Sequence, residues 1–132
     1  MKILIVDDDV AIAESLAEAL GSEKHPCDTA NDGKTALSRL TTGAYDIAII
    51  DLVMPEKNGI EVLTEARKAG VQTEFVMVTG FGSIETAIDA MKLGASDYLT
   101  KPVNLEELRC IVSRLAENNN LRRENARLRR LV

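Results

Sequence analysis

The sequence predicts an α/β fold in which five strand and helix units surround one parallel sheet. Short apolar runs alternate with segments of helical periodicity along the chain, which is the pattern of repeated strand-helix units. Four of the apolar runs lead into carboxylate, hydroxyl or ammonium side chains, and the carboxyl ends of parallel strands meet at one edge of a sheet. These side chains belong to Asp7, Asp8, Asp9, Asp51, Thr79 and Lys101. We therefore expect them to share one crevice.

The first two units fill the amino-terminal third of the chain. Residues 2–6 predict the first strand, and an amphipathic period predicts a first helix over Val10–Leu20. A short second strand is predicted at Cys27–Ala30, and a second helix follows the turn at residues 31–33 and ends at Gly43. The predicted inner face of the first helix consists of Ile12, Leu16, Ala19 and Leu20, and that of the second of Ala36, Leu37 and Leu40.

The other three units show the same alternation of a strand and a helix. Strands are predicted at residues 46–50, 74–78 and 96–99, and the last of these is expected at a sheet edge because it is short and less apolar. Glycines end the helices between them, and Ser83 is a candidate cap of the fourth helix. The expected inner faces are Ile60, Val62, Leu63 and Ala66 in the third helix, and Ile84, Ala87, Ile88 and Met91 in the fourth.

The last helix is predicted to begin after an Asn104 cap and to extend beyond the core, because neither Gly nor Pro occurs from Leu105 to Val132. Its apolar and Asn positions are nearly heptad-spaced, which predicts a two-stranded coiled coil. An Asn in such a seam fixes register, so Asn125 is expected to specify a parallel dimer; a frayed linker is the alternative. The seam consists of Ile111, Leu115, Asn118, Leu121, Asn125, Leu128 and Val132.

Composition limits the classes of function. The net charge of −5 argues against nucleic acid binding. Cys27 and Cys110 are too few for a disulfide framework or a zinc site, so both are expected to be small buried side chains in a reducing cytoplasm. No apolar stretch approaches the roughly 20 residues that span a bilayer, so we expect a soluble, cytoplasmic chain without membrane contact.

The crevice residues predict phosphoryl chemistry with a metal ion. Clustered carboxylates repel one another unless a cation intervenes, and carboxylate oxygens suit Mg²⁺. Asp7, Asp8 and Asp51 are therefore the candidate metal ligands. Asp51 is also a candidate nucleophile toward phosphorus, since a carboxylate can form an acyl phosphate when cations neutralise the phosphoryl oxygens. Lys101 and Thr79 would supply the ammonium and the hydroxyl.

Four ordered motifs closely resemble those of response regulator receiver domains. They are VDDD at residues 6–9, DLVMPEKNG at 51–59, VTG at 78–80 and DYLTKP at 97–102. Their agreement in order and context makes the resemblance specific. It implies a flavodoxin-like (βα)5 fold, a doubly wound parallel sheet in the order 2-1-3-4-5, here with an extended C-terminal helix. It also implies that residues 1–116 form the receiver domain and that residues 117–132 form a helical coiled-coil linker to a missing output domain.

The resemblance assigns roles to individual residues. Asp51 matches the phosphoacceptor, which receives a phosphoryl group from a sensor histidine kinase. Asp7, Asp8 and the backbone carbonyl of Val53 match the other protein ligands of Mg²⁺. Lys101 matches the lysine that pairs with phosphoryl oxygens, and its bond to Pro102 is expected to be cis. Such a domain is a phosphoacceptor in signalling, not an enzyme, and it assists only its own phosphorylation and dephosphorylation.

Thr79 and Tyr98 match the switch pair of the family. The resemblance implies that the Thr79 hydroxyl moves to the phosphoryl group while the Tyr98 ring turns inward, which changes the face built by helix four, strand five and helix five. Homodimers are expected through that face, through the C-terminal helix, or through both. The alternative for Tyr98 is an edge-strand side chain that simply lies on the surface. Val53 and Phe81 are further expected to exclude water from the acyl phosphate.

The segment LRRENARL at residues 121–128 resembles the linker that precedes the ATPase domain in sigma-54-dependent activators of the nitrogen-regulation class. The resemblance implies a downstream ATPase and DNA-binding output, while the present chain makes no direct nucleic acid contact. A receiver with a different output domain remains open.

Two other classes of protein share part of this pattern. An Asp-nucleophile phosphohydrolase of the haloacid dehalogenase type has an Asp-x-Asp-x-Thr/Val pattern after its first strand. Residues 7–11 are DDDVA, which does not fit this pattern at its last position. A purely structural dimerisation module would be expected to lack the acceptor, a ligand or the lysine.

Overall fold

The computed structural model describes residues 1–80 and 84–131, with side chains described for residues 1–80 and 85–118. Strands and helices alternate throughout these residues, which confirms the five predicted units. The strands are β1 (Ile3–Val6), β2 (Cys27–Ala30), β3 (Ile47–Asp51), β4 (Glu74–Thr79) and β5 (Asp97–Thr100). The helices are α1 (Val10–Leu20), α2 (Gly33–Thr42), α3 (Gly59–Lys68), α4 (Ile84–Lys92) and α5 (Leu105–Leu131).

All strand pairs are parallel, and the sheet has the order β2-β1-β3-β4-β5 that the family resemblance implied. β5 lies at an edge, as predicted. β3 and β4 each extend one residue beyond the predicted end, because Asp51 pairs with Val78 and Thr79 with Thr100. Asp51 and Thr79 are therefore the last residues of their strands, where the ladder fixes their backbone.

Side chains that alternate along the strands build a core on each face of the sheet. Leu4 and Val6 of β1 pack in the layer that contains α2, α3 and α4. Ile3 and Ile5 point the opposite way and pack against α1 and α5. Helices therefore cover both faces, which confirms the doubly wound flavodoxin-like class.

Two predicted helix faces are partly wrong. In α1 the buried positions are Ala13, Leu16 and Leu20, whereas Ile12 is 37% exposed and Ala19 is only half-buried. In α4 the fully buried side chains are Ala87 and Ala90, while Ile88 and Met91 are 46% and 39% exposed. Close helix-sheet approach accommodates alanine better than larger side chains, so α4 packs on its alanines. In α1 the buried face contains Ala13 instead of Ile12, together with Leu16 and Leu20. Ser83 and the side chain of Ile84 lie outside the described residues.

The long last helix is confirmed as far as Leu131, and Asn104 caps it by accepting a hydrogen bond from the Glu107 N–H at 3.1 Å. Ile111 and Leu115, however, pack in the core of their own domain. The prediction that they begin the coiled-coil seam is therefore wrong, because the sheet occupies that face of α5. Cys110 lies on the side of α5 that faces away from the sheet, so it is exposed, contrary to prediction, and Cys27 is half-buried. The predicted seam side chains of Leu121, Asn125, Leu128 and Val132 lie outside the described residues.

Candidate functional site

The carboxyl edge of the sheet gathers the predicted acidic side chains around one lysine. Asp7, Asp8 and Asp51 each offer a carboxylate oxygen, and these oxygens lie within 4.8 Å of one another. Lys101 Nζ lies 2.7 Å from Asp51 Oδ2 and 3.4 Å from Asp7 Oδ2. The structure thus brings together three carboxylates and one ammonium from the ends of β1, β3 and β5.

Asp51 is held firmly at the centre of this cluster. It is 4% exposed, and its Oδ1 accepts a hydrogen bond from the Val53 N–H at 3.0 Å. Its Oδ2 accepts from Lys101 Nζ. Two donors on two oxygens fix the plane of the carboxylate, so its orientation is set before any ligand binds.

The loop from β1 to α1 arranges the other two carboxylates. Asp7 is buried, and its Oδ1 accepts from the Asp9 N–H at 2.9 Å. Asp9 Oδ1 in turn accepts from the Ala11 and Ile12 N–H groups and caps α1. Asp9 is therefore turned toward its helix, whereas Asp8 is exposed.

The electrostatics of the cluster favour a bound cation. Burial raises the pKa of the Asp7 carboxyl, and the nearby Asp51 charge adds to the rise, although the Asp9 N–H and Lys101 oppose it. Burial alone would lower the pKa of Lys101, but the hydrogen bond to Asp51 and the charges of Asp51 and Asp7 outweigh it and raise that pKa. Lys101 thus remains an ammonium, but this single positive charge does not balance the three carboxylates of the cluster. A hard divalent cation such as Mg²⁺ fits this set of oxygen donors.

Backbone contacts fix the position of Lys101. Its N–H donates to the Thr79 carbonyl at 2.8 Å, and the Lys101-Pro102 peptide is cis, as predicted. The side chain of Thr79 is 1% exposed, and that of Tyr98 is 38% exposed. Tyr98 thus occupies the surface position of the alternative interpretation in this state, and its switch role stays a prediction. Phe81 lies outside the described residues.

All residues of this site lie within one segment that matches a known protein family. The response regulator receiver domain family matches residues 3–113. The chain belongs to the response regulator receiver domain family. Receiver domains are phosphorylated by histidine kinases, and they generally bind Mg²⁺ at an acidic pocket. The Asp cluster of this chain lies where such a pocket is expected.

Known relatives are regulators of transcription. The chain is 34% identical over 134 residues to transcriptional regulatory protein DltR of Streptococcus agalactiae, covering 97% of this receiver domain chain and 60% of DltR. It is 35% identical over 123 residues to regulatory protein AtoC of Escherichia coli, covering 93% of the chain and 27% of AtoC. The AtoC match agrees with the predicted similarity to the nitrogen-regulation class. The chain thus spans less than two thirds of either relative.

The structural comparison gives the same family. The receiver domain of the Francisella response regulator 1452 superimposes with a TM-score of 0.82 at 35% sequence identity. The match covers 89% of this chain and 98% of that chain. The match therefore confirms the predicted fold over 89% of this chain.

Gly59 helps to position Asp51 in the receiver domain. The sequence predicted only that Gly59 lies in the loop before α3. It begins α3 behind the Asn58 cap, and the helix start packs against the end of β3. A Cβ on Gly59 would lie 2.8 Å from the Asp51 carbonyl oxygen and 3.2 Å from Leu52 Cα. Only glycine fits here without moving the backbone that carries Asp51.

Gly59→Ala is therefore expected to lower the free energy of unfolding by about 1–3 kcal/mol, the usual cost of overpacking. Urea denaturation of both proteins measures the difference. Gly80→Ala is the matched control, because a Cβ there meets no atom within 4 Å in the described part of the chain. Equal losses in the two variants would contradict the assigned contact.

Asp7→Asn is expected to raise the free energy of unfolding without Mg²⁺ by about 0.5–2 kcal/mol, the usual gain from one stabilising substitution. The change deletes a buried negative charge beside Asp51 and keeps an oxygen to accept the Asp9 N–H. The extra stability that Mg²⁺ gives the parent should shrink at the same time. Urea denaturation with and without Mg²⁺ tests both effects, with the exposed Asp89→Asn as control. A less stable Asp7→Asn protein in the absence of Mg²⁺ would refute the repulsion argument.

Proposed function

We propose that this receiver domain accepts a phosphoryl group on Asp51 from the phosphohistidine of a sensor histidine kinase. The observation that carries the proposal is the close grouping of the Asp7, Asp8 and Asp51 carboxylates with Lys101 Nζ at 2.7 Å from Asp51. Asp7, Asp8, Asp51 and the backbone carbonyl of Val53 would hold Mg²⁺. The bound ion would neutralise negative charge on the phosphoryl oxygens.

The reaction is a displacement at phosphorus. An Asp51 carboxylate oxygen forms the new O–P bond, the P–N bond to the kinase histidine breaks, and the electron pair leaves with the imidazole. The product is an acyl phosphate on Asp51. Lys101 is held by its backbone bond to Thr79, so its ammonium is in place to pair with phosphoryl oxygens without reorganisation.

Phosphorylation would then shift a two-state equilibrium. The Thr79 hydroxyl would donate to a phosphoryl oxygen, and the Tyr98 ring would turn inward from its exposed position. Phosphate can shift the equilibrium only through contacts that differ between the states, and the bonds to Thr79 and Lys101 are those contacts. The affected surface would be the α4-β5-α5 face, which in this structure exposes Ile88, Met91, Leu93 and Tyr98.

Dimerisation would carry the signal to an output domain. We place the receiver at residues 1–116 and the coiled-coil linker at 117–132, with homodimer contacts on the α4-β5-α5 face, on the C-terminal helix, or on both. The linker motif and the similarity to AtoC support an ATPase and DNA-binding output of the sigma-54 activator class; another output domain is the alternative.

A cytoplasmic location belongs to the same proposal, since a kinase in the same compartment must reach Asp51. Across the part of the chain that the structure describes, no helix has both the length and the apolar character needed to cross a bilayer. Direct contact of this segment with nucleic acid is not expected, given its net charge of −5.

The molar mass in solution tests this function. Light scattering with Mg²⁺, with and without beryllofluoride as a phosphoryl mimic, should show a mimic-dependent change in the parent and none in Asp51→Asn. A parent that does not bind the mimic would contradict the receiver mechanism. A parent that is dimeric throughout would place the signal in the geometry of the dimer instead of in its assembly.

Thr79→Val is expected to uncouple phosphorylation from the switch. Valine has nearly the shape of threonine and lacks the hydroxyl, and the site is buried, so the fold should persist while the bond to phosphate is lost. The variant should still bind beryllofluoride but should lose most of the mass change of the parent. Thr100→Val, on the exposed end of β5, is the control. A full response in Thr79→Val would remove Thr79 from the switch.

A further inference from the structure

Asn31 ties the acidic loop to the neighbouring strand. It follows β2 directly, and its side-chain amide Nδ2 donates to the Asp7 carbonyl oxygen at 3.1 Å. The Asp7 N–H donates to the Ala30 carbonyl at 3.1 Å. Both peptide groups of Asp7 are therefore hydrogen-bonded to residues 30 and 31, although β1 itself ends at Val6.

The bond from Asn31 fixes the peptide that joins Asp7 to Asp8. The Asp7 carbonyl belongs to that peptide, so its orientation sets the direction in which Asp8 leaves the backbone. Asp8 is exposed, and no described residue donates a hydrogen bond to its carboxylate. Its approach to Asp7 and Asp51 within the 4.8 Å cluster therefore depends on the backbone.

The far end of the loop is fixed separately. Asp9 caps α1 and donates its N–H to Asp7 Oδ1 at 2.9 Å. Asp8 thus lies between a peptide held by Asn31 and a residue held by α1. Without the amide of Asn31, the first of these restraints is lost, and the Asp7 carbonyl can rotate toward water.

We infer from this arrangement that Asn31 is a positioning residue for the divalent-cation site. The inference rests on the proposed function. It orients the Asp7-Asp8 peptide so that the Asp8 carboxylate faces those of Asp7 and Asp51. Residues that orient metal ligands typically contribute about 10- to 100-fold in metal affinity. Because Asn31 acts through the backbone, the lower end of that range is expected.

Asn31→Leu tests the inference, because leucine has a similar size and no donor; Asn31→Ala is the second variant should leucine impair folding. Calorimetric titration of the unphosphorylated protein with Mg²⁺ should give about tenfold weaker binding. Phosphorylation by a small phosphodonor should need about tenfold more Mg²⁺ for half its maximal rate. The rate at saturating Mg²⁺ should equal that of the parent.

Thr73→Val is the matched control. Thr73 Oγ1 also donates to a backbone carbonyl, that of Tyr45 at 2.8 Å, but it lies before β4 at the opposite edge of the sheet. Its loss should reduce stability and leave Mg²⁺ affinity unchanged. Equal Mg²⁺ affinity in Asn31→Leu and the parent would overturn the inference, as would a lower rate at saturating Mg²⁺ with unchanged affinity.

The titration also separates this inference from the proposed function. Phosphoryl transfer that is absent even in the parent would contradict the proposed function, while the Mg²⁺ affinities of the unphosphorylated proteins would still decide the role of Asn31.

Discussion

Asp51→Asn is expected to abolish phosphoryl transfer to the receiver domain. The amide has no anionic oxygen to attack phosphorus, so the loss should be complete within detection. Asparagine keeps an oxygen to accept the Val53 N–H, so the fold should persist. Transfer of labelled phosphate from a small phosphodonor in the presence of Mg²⁺ measures the effect without requiring the kinase.

Asp46→Asn is the matched control for this experiment. Asp46 precedes the same strand, β3, at the opposite edge of the sheet, and its Oδ2 accepts the Lys2 N–H at 2.9 Å. An asparagine can accept that bond too, so labelling should equal that of the parent. Comparable labelling of Asp51→Asn and the parent would show that another residue is the acceptor.

Lys101→Met should slow phosphoryl transfer by about 10²–10³-fold, the usual cost of removing one preorganised donor to developing charge. The variant retains a long side chain but loses the ammonium that lies 2.7 Å from Asp51 Oδ2. Lys101→Arg should not restore the rate, because a planar guanidinium cannot replace a compact ammonium between two carboxylates. Initial rates at saturating Mg²⁺ and phosphodonor give the comparison.

Lys57→Met serves as the control, because Lys57 also forms an ion pair, with Glu65 of α3. Its rate should remain near that of the parent. If Lys101→Met and Lys57→Met retained equal, parent-like rates, Lys101 would have no part in charge neutralisation.

The strand ends were the part of the site that sequence could predict. Asp51 and Thr79 each follow an apolar run, and parallel pairing carries such positions to one edge whatever the details of packing. The family motifs then added the strand order, which periodicity alone does not determine. Both levels agree with the structure because the three central strands, β1, β3 and β4, are buried along almost their whole length.

Helix faces and long-range contacts were less predictable. Periodicity finds the apolar positions of a helix, but the distance between helix and sheet decides whether alanine or a larger side chain is buried. Ala87 and Ala90 are buried in α4 while Ile88 is exposed. The bond from Asn31 to Asp7 joins residues 24 positions apart, and the contact of Gly59 with the Asp51 carbonyl depends on how α3 meets β3. Neither has a local sequence pattern.

Chemical mapping of the phosphorylated residue tests the central claim most directly. Borohydride reduces an aspartyl phosphate to homoserine, and peptide sequencing by mass spectrometry then locates it. After phosphorylation with Mg²⁺ and a small phosphodonor, we predict homoserine at position 51 and at no other aspartate. Homoserine at position 7 or 8, or a phosphorylated chain that contains no homoserine, would contradict the assignment of Asp51 as the phosphoacceptor.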